Sequence, residues 1–358
     1  MLKSHSYMTK TSIDLKTLKH FNSSFVVSII GLVIGVFCYP EHPIAIVISI
    51  AILAMLEISL SFDNAIINAK VLSQMPVFWQ KMFMLIGMPI AVFGMRLVFP
   101  ILLVSISSDI SFYHVIELAV YHPSQYEHTL ETSMPYICSF GGGFLLMVFL
   151  HFFLALTDEN IFWLPTLENN IIIRKFRNHH GGPILLAVGI GLVLIYYAEK
   201  DMQVDIAVSY LLGILIHEVI GLINSLFEND NINTVNIARD GLLGFIYLEI
   251  IDASFSFDGV VGAFAISTNI VVIMIGLGIG AMFVRSLTML FVERNTLAKY
   301  IYLEHGAHYA IGFLSLVLLS KVFIEVPEWL TGSVSIIILL SSFIHSILKN
   351  KQSQNKIC

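Results

Sequence analysis

Long apolar runs separated by short polar connections dominate this chain. About 20 consecutive apolar residues suffice to cross a bilayer as a helix. Windows of that kind fall at 23–39, 43–69, 82–107, 136–157, 183–198, 205–227, 241–266, 270–292, 307–324 and 331–348. The pattern predicts an all-α polytopic membrane protein with about ten transmembrane helices. Two windows are irregular: 183–198 is short, and 43–69 is too long for one helix perpendicular to the membrane. The one long connection expected on the outer side, 108–135, contains "FYHVIELAVYH". It reads equally as a short amphipathic segment lying on the interface or as a plain surface loop.

Composition supports the same class. The chain is 57% hydrophobic and only 12% charged, with a mean hydropathy of +0.84, outside the range of soluble domains. Its first partner is therefore the lipid bilayer, and no basic footprint for nucleic acid exists. Of the 19 Lys and Arg, 15 fall in the N-terminal tail, the 70–81 and 158–182 loops, Arg239, the 294–299 loop and the C-terminal tail. In a ten-span arrangement these all lie on one side, which predicts that both termini are cytoplasmic and that the chain resides in the cell (inner) membrane. The expected organisation is a cytoplasmic tail 1–22, one transmembrane domain 23–348 and a cytoplasmic tail 349–358. The N-terminal tail, with Lys3, Lys10, Lys16 and Lys19, is not followed by a cleavage pattern, so no signal peptide is expected. Cys38, Cys138 and Cys358 are too scattered for a disulfide framework or a CxxC metal site.

Charged groups inside these apolar runs change the picture. "LEISLSFDNAI" at 56–66 carries Glu57, Asp63 and Asn64, and "LEIIDASFSFDGVV" at 248–261 carries Glu249, Asp252 and Asp258. Aligning Asp63 with Asp258 pairs Glu57 with Asp252, Ser59 with Ser254, Ser61 with Ser256 and Phe62 with Phe257, so [ED]-x-S-x-S-F-D occurs twice. A second match follows each copy, "IGMPIAVFGMRL" at 86–97 and "IGLGIGAMFVRS" at 275–286, pairing Gly87 with Gly276 and Arg96 with Arg285. In ten spans the copies run in opposite directions. That predicts two inverted five-helix repeats, about 23–198 and 205–348, with a site at the midplane where they meet. On a continuous helix Glu57, Ser61, Asn64 and Asn68 share a face, as do Glu249, Asp252, Ser256 and Gly259. Asp63 and Asp258 are turned away from those faces by roughly 120°. The Ser-Phe-Asp segments are accordingly the expected points of helix interruption.

Intramembrane carboxylates are costly and mark ion or proton pathways, although two of these could instead be protonated and hydrogen-bonded for structure alone. Glu57, Asp63, Asp252 and Asp258, with Asn64, form a hard oxygen set suited to Mn²⁺, Ca²⁺ or Mg²⁺ as a transported ion rather than a permanent cofactor. Arg96 and Arg285 either counter these carboxylates or snorkel to an interface. His217 and Glu218 in "GILIHEVIG" read as a proton relay, an extra ligand or a polar helix contact. Glu304 and His308 in "LEHGAHYAIG" sit one turn apart, where interface anchoring is the commoner explanation. His151, with Asp158 and Glu159 beyond it, reads as a solvated helix end, and His179 and His180 as solvated loop residues. No phosphate-cradling loop appears, so ATP-driven transport by this chain alone is not expected, and a transporter is expected ahead of an enzyme.

"LEISLSFDNAIINAKVL", "IIDASFSFDGVVGAFAIS" and "EHGAHYAIG" together resemble the TerC family, in particular its long branch catalogued as a domain of unknown function, over about residues 43–325. The resemblance implies paired acidic motifs in opposed repeats, kinship with cation exporters, and an association with tellurium resistance and manganese efflux. Its acidic positions fall on Glu57, Asp63, Asn64, Asp252 and Asp258. The expected function is export of a divalent cation, manganese first, coupled to protons. The alternatives are a non-transporting scaffold or metal sensor that gathers cytoplasmic resistance proteins, and an intramembrane aspartyl hydrolase, for which the GxGD context is missing.

Overall fold

The computed structural model of the protein describes residues 15–355, apart from 88, 91–93, 95–97, 109, 155–161, 178–180, 229–240, 243, 253–262, 264–265, 268 and 325. Among the described residues the chain is all helical, without a strand. Six segments of the described residues are long and apolar enough to cross a membrane: His20–Cys38, Pro43–Leu60, Ser124–Leu154, Gln203–Leu222, Ile270–Glu293 and Leu330–Gln352. Gly182–Tyr197 is apolar but shorter. Large apolar side chains such as Ile29, Val33, Phe37, Leu192, Tyr196 and Leu215 point outward. A surface this apolar is matched by lipid rather than water, and the protein is membrane-embedded.

The helices in chain order are α1 (Leu15–Cys38), α2 (Pro43–Leu60), α3 (Phe62–Gln74), α4 (Val77–Met82), α5 (Phe99–Ser107), α6 (Phe112–Tyr121) and α7 (Pro123–Leu154). They continue with α8 (Pro165–Glu168), α9 (Ile171–Arg177), α10 (Gly182–Tyr197), α11 (Gln203–Glu228) and α12, the helical residues 244–252. The last four are α13 (Ile270–Glu293), α14 (Thr296–Lys299), α15 (Leu303–Lys321) and α16 (Glu328–Asn355).

Two packing units position the site. In the first, α2 and α13 run parallel, with Gly276 against Leu53 and Gly280 against Glu57. A Cβ on Gly280 would lie 2.5 Å from Glu57 Cβ and 2.8 Å from the Ala54 carbonyl oxygen, so only glycine permits this approach. Helix α1 covers α13 on another side, where Ser24 Oγ donates to the Met282 carbonyl at 2.9 Å. In the second unit α7 is sandwiched between α11 and α15. Helix α11 lies alongside in the same direction, with Gly213 against Phe140 and Phe144 against His217. Helix α15 runs the opposite way, with Ser315 Oγ donating to the Gly142 carbonyl at 2.9 Å and Tyr309 against Phe153 at 4.6 Å.

Of the two readings given to the 108–135 stretch, the short amphipathic segment agrees with α6, which buries one face and exposes Tyr113 and Tyr121, and the plain surface loop does not. Ser111 caps α6, accepting from His114 N at 3.4 Å, and the helix buries Val115, Leu118 and Ala119 in a core shared with Val104, Tyr126 and Leu130. Helix α7 then starts at Pro123 rather than near 136 and carries Pro135 inside it. Its first turns are polar, which hides them from an apolar window. The hydroxyls of Thr129, Thr132 and Ser133 bond back to carbonyls of the same helix, so the polarity costs little.

Candidate functional site

The first motif sits at a break in a long apolar helix. Ser61 adopts φ −102°, ψ 15°, separating α2 from α3 while the direction of the chain is kept. Two local bonds hold the break: Ser61 N donates to the Glu57 carbonyl at 2.9 Å, and Ser61 Oγ donates to Glu57 Oε1 at 2.6 Å. Asp63 falls in the first turn of α3, where the helix dipole favours negative charge. Its Oδ1 accepts from Asn64 N at 2.9 Å, and its Oδ2 has no hydrogen-bond partner among the described residues. Glu57, Asp63, Asn64 and Asn68 are each only 1% exposed. The interruption expected in the Ser-Phe-Asp segment therefore lies at its first residue, and it brings both Asp63 and the Glu57 face into the interior.

The second motif approaches on α12, antiparallel to α3: Gly244 lies against Met75, and Asp252 against Asn64. Asn64 Nδ2 donates to Asp252 Oδ1 at 2.5 Å, a contact across 188 residues that joins the two copies. With the amide nitrogen engaged, Asn64 Oδ1 is left without a partner among the described residues, as is Asn68 Oδ1. Arg285 enters from α13. Its Nη2 lies 3.4 Å from Glu249 Oε1 and 3.8 Å from Asp252 Oδ2, while Nη1 donates to the Phe83 carbonyl at 2.8 Å. Its guanidinium also lies over the Phe83 ring at 4.1 Å. Phe83 opens a stretch of π-helical backbone, Phe83–Gly87, the kind of ladder irregularity into which side chains insert. Gly87 faces Arg285 Nη1 and Glu249 Oε1, each 2.6 Å from where a Cβ would stand.

Buried charges of this kind persist only when paired and hydrogen-bonded. Arg285 is 3% exposed, and Glu249 and Asp252 are 6% exposed, so the guanidinium and carboxylates balance one another out of water. Of the two roles considered for Arg285, its position fits countering the carboxylates. Asp258, Ser256 and Arg96 lie outside the described residues, as do His179 and His180.

His308 is placed elsewhere. It stacks on Phe152 at 3.6 Å, with Nδ1 at 2.9 Å from the Glu304 carbonyl oxygen. Glu304 itself meets Lys70 at 2.9 Å. His217 and Glu218 are likewise on α11 rather than on the motif helices. Among the described residues, one group of three His, Cys, Asp or Glu side chains brings its ligand atoms within 4.8 Å of one another, and that group is His151, His217 and Glu218. The described motif carboxylates, Glu57, Asp63, Glu249 and Asp252, do not meet that criterion among themselves.

Sequence reasoning passed over several residues that shape this region. Phe83 and Gly280 are two; the Gly276-x-x-x-Gly280 spacing was the available signal for the second. Glu168 is another: it accepts from Trp163 N and Leu164 N, both at 3.1 Å, and from Tyr309 Oη at 3.2 Å, and it lies 3.8 Å from His305. Nothing in a polar connection signals such a buried acid.

These features define a helical membrane protein with a buried acid, amide and guanidinium cluster built from two copies of one motif. The chain belongs to the family described as Protein of unknown function (DUF475), whose model matches residues 62–353. That range takes in Asp63, Asn64, the whole second motif and Arg285. No curated protein and no solved structure matches the chain.

Proposed function

We propose that this chain is a secondary transporter that exports a divalent cation, manganese first, through the buried acidic cluster, in exchange for protons. The observation that carries the reading is the Asn64–Asp252 hydrogen bond, which joins the two motif copies on antiparallel helices inside an apolar protein. Three buried oxygens beside it, Asp63 Oδ2, Asn64 Oδ1 and Asn68 Oδ1, have no hydrogen-bond partner among the described residues. Oxygen atoms of this type are hard ligands, suited to Mn²⁺, Mg²⁺ or Ca²⁺. In this reading the cargo is held by Glu57, Asp63, Asn64, Asp252 and Asp258. Arg285 competes with it: a cation drawing Asp252 into its shell weakens the guanidinium contact, and departure of the cation restores it.

Two inverted repeats of five spans fit the same reading. Gly87 lies against Glu249 and Gly276 against Leu53. In the register that pairs Asp63 with Asp258, Glu249 is the counterpart of Ala54, so the two close contacts fall one position apart in the two halves. Helix α13 parallel to α2 and α12 antiparallel to α3 are the directions such an arrangement requires. The resemblance of the motifs to the TerC family favours manganese over the other hard cations.

The test is cellular metal content under manganese load, in cells lacking their own exporter, with the intact chain or Asp63→Asn with Asp252→Asn. The expected outcome is lower manganese only with the intact chain, with both proteins equally abundant in the membrane. Unchanged manganese, iron, zinc, calcium and magnesium with the intact chain would overturn the exporter reading and turn attention to a scaffold on cytoplasmic partners.

A further inference from the structure

We infer that His151, His217 and Glu218 form a second, nitrogen-rich metal site between α7 and α11 that binds a borderline transition ion of the Zn²⁺ or Co²⁺ type. It does not rest on the exporter reading, because it shares no residue and no helix with the acidic cluster. The three ligand atoms lie within 4.8 Å of one another. His217 Nδ1 is 3.4 Å from Glu218 Oε1, and the two imidazole rings are 5.4 Å apart and inclined at 51°. Ligands on a tetrahedral zinc ion, at about 2.0–2.2 Å from the metal, stand roughly 3.3–3.6 Å from each other. The His217–Glu218 pair already has that spacing. Adjacent residues on a helix do not face one another, so their convergence reflects where both side chains are aimed, toward His151 of the neighbouring helix.

The donor set decides which ion. Two imidazoles and one carboxylate favour zinc, cobalt or nickel, whereas calcium and magnesium take oxygen ligands. Three protein ligands also leave a fourth position for water or another small molecule. His217 is buried against the Phe144 ring at 5.8 Å, and Glu218 is half-buried, while His151 is exposed three residues before the end of α7. The exposed imidazole is the arm that closes on an incoming ion, and the other two are held by helix packing. A plain polar helix contact would account for one histidine and the glutamate, but not for a second, exposed imidazole directed at the same point.

The test uses the purified full chain with any histidine tag removed, titrated with Co²⁺ and followed by its visible ligand-field absorption. The expected result is one equivalent bound, displaced by Zn²⁺ and not by Ca²⁺ or Mg²⁺. His151→Ala should weaken binding by roughly tenfold or more, at least the loss seen when a supporting partner of a metal ligand is removed. Asp63→Asn should leave it unchanged. Because His151 is exposed, its variant tests the ligand without disturbing the core; His217→Gln adds a second ligand if it remains monodisperse. Absence of the ligand-field bands, or equal Co²⁺ binding by the intact chain and His151→Ala, would overturn the site.

Discussion

Arg285 is the residue on which the buried cluster turns. Its guanidinium faces Glu249 and Asp252, donates to the Phe83 carbonyl and lies over the Phe83 ring, all away from solvent. Removing one partner from a buried ionic group leaves an uncompensated charge, which costs about 3–5 kcal/mol. Arg285→Gln is therefore expected to lower the thermal unfolding midpoint of the purified protein strongly. Adding Glu249→Gln should restore part of that loss, since two residues in one network are not additive. Strictly additive losses would mean that the two do not act together. Asn64 sets up a smaller experiment of the same kind. Asn64→Leu leaves Asp252 Oδ1 without its donor, a change of about 1–3 kcal/mol in stability, and removes the link between the motif copies.

At the scale of helices, the α2–α13 contact holds Glu57 in place. With Gly280 Cα directly against the Glu57 side chain, a methyl group there must push on Glu57 Cβ and on the Ala54 carbonyl, and backbone does not yield cheaply. Gly280→Ala is expected to cost about 1–3 kcal/mol by overpacking and, under the exporter reading, to reduce manganese export as Glu57 is displaced. Gly189→Ala on α10, where a Cβ meets nothing within 4 Å, should be neutral or stabilising by about 0.5–1 kcal/mol. Thermal unfolding of both variants separates a packing effect from a general intolerance of side chains in these helices. Such contacts are only partly legible in sequence. The doubled motif and the apolar runs are plain, because period and composition carry them. The early start of α7 is hidden, because its polar turns satisfy their hydroxyls internally. His151 is hidden for another reason: its partners lie on a helix more than sixty residues away, and a histidine near a helix end carries no mark of what it faces.

For the whole molecule, the sequence made the class readable through its hydropathy, whereas the path of the chain through the membrane depends on connections that apolarity alone does not resolve. Helix α15 illustrates the difficulty. It is buried along most of its length against α7, α3 and α16, with Gly306, Gly312, His305 and His308 lowering its apolarity, so it is not among the six segments that length and composition single out. A helix surrounded by protein has no need of the uniform apolar surface that lipid requires. Counting apolar helices therefore undercounts spans in a protein with a polar interior, and parity has to come from elsewhere. The charge bias offers an expectation: the proposed ten spans would place Lys3, Lys10 and Lys16 on the same side as Lys349, Lys351 and Lys356. Reporter fusions or membrane-impermeant thiol labelling at each terminus should then place both ends in the cytoplasm. Opposite ends would require an odd number of spans, which would remove the five-plus-five arrangement from the exporter reading while leaving α12 antiparallel to α3 and the Asn64–Asp252 contact in place.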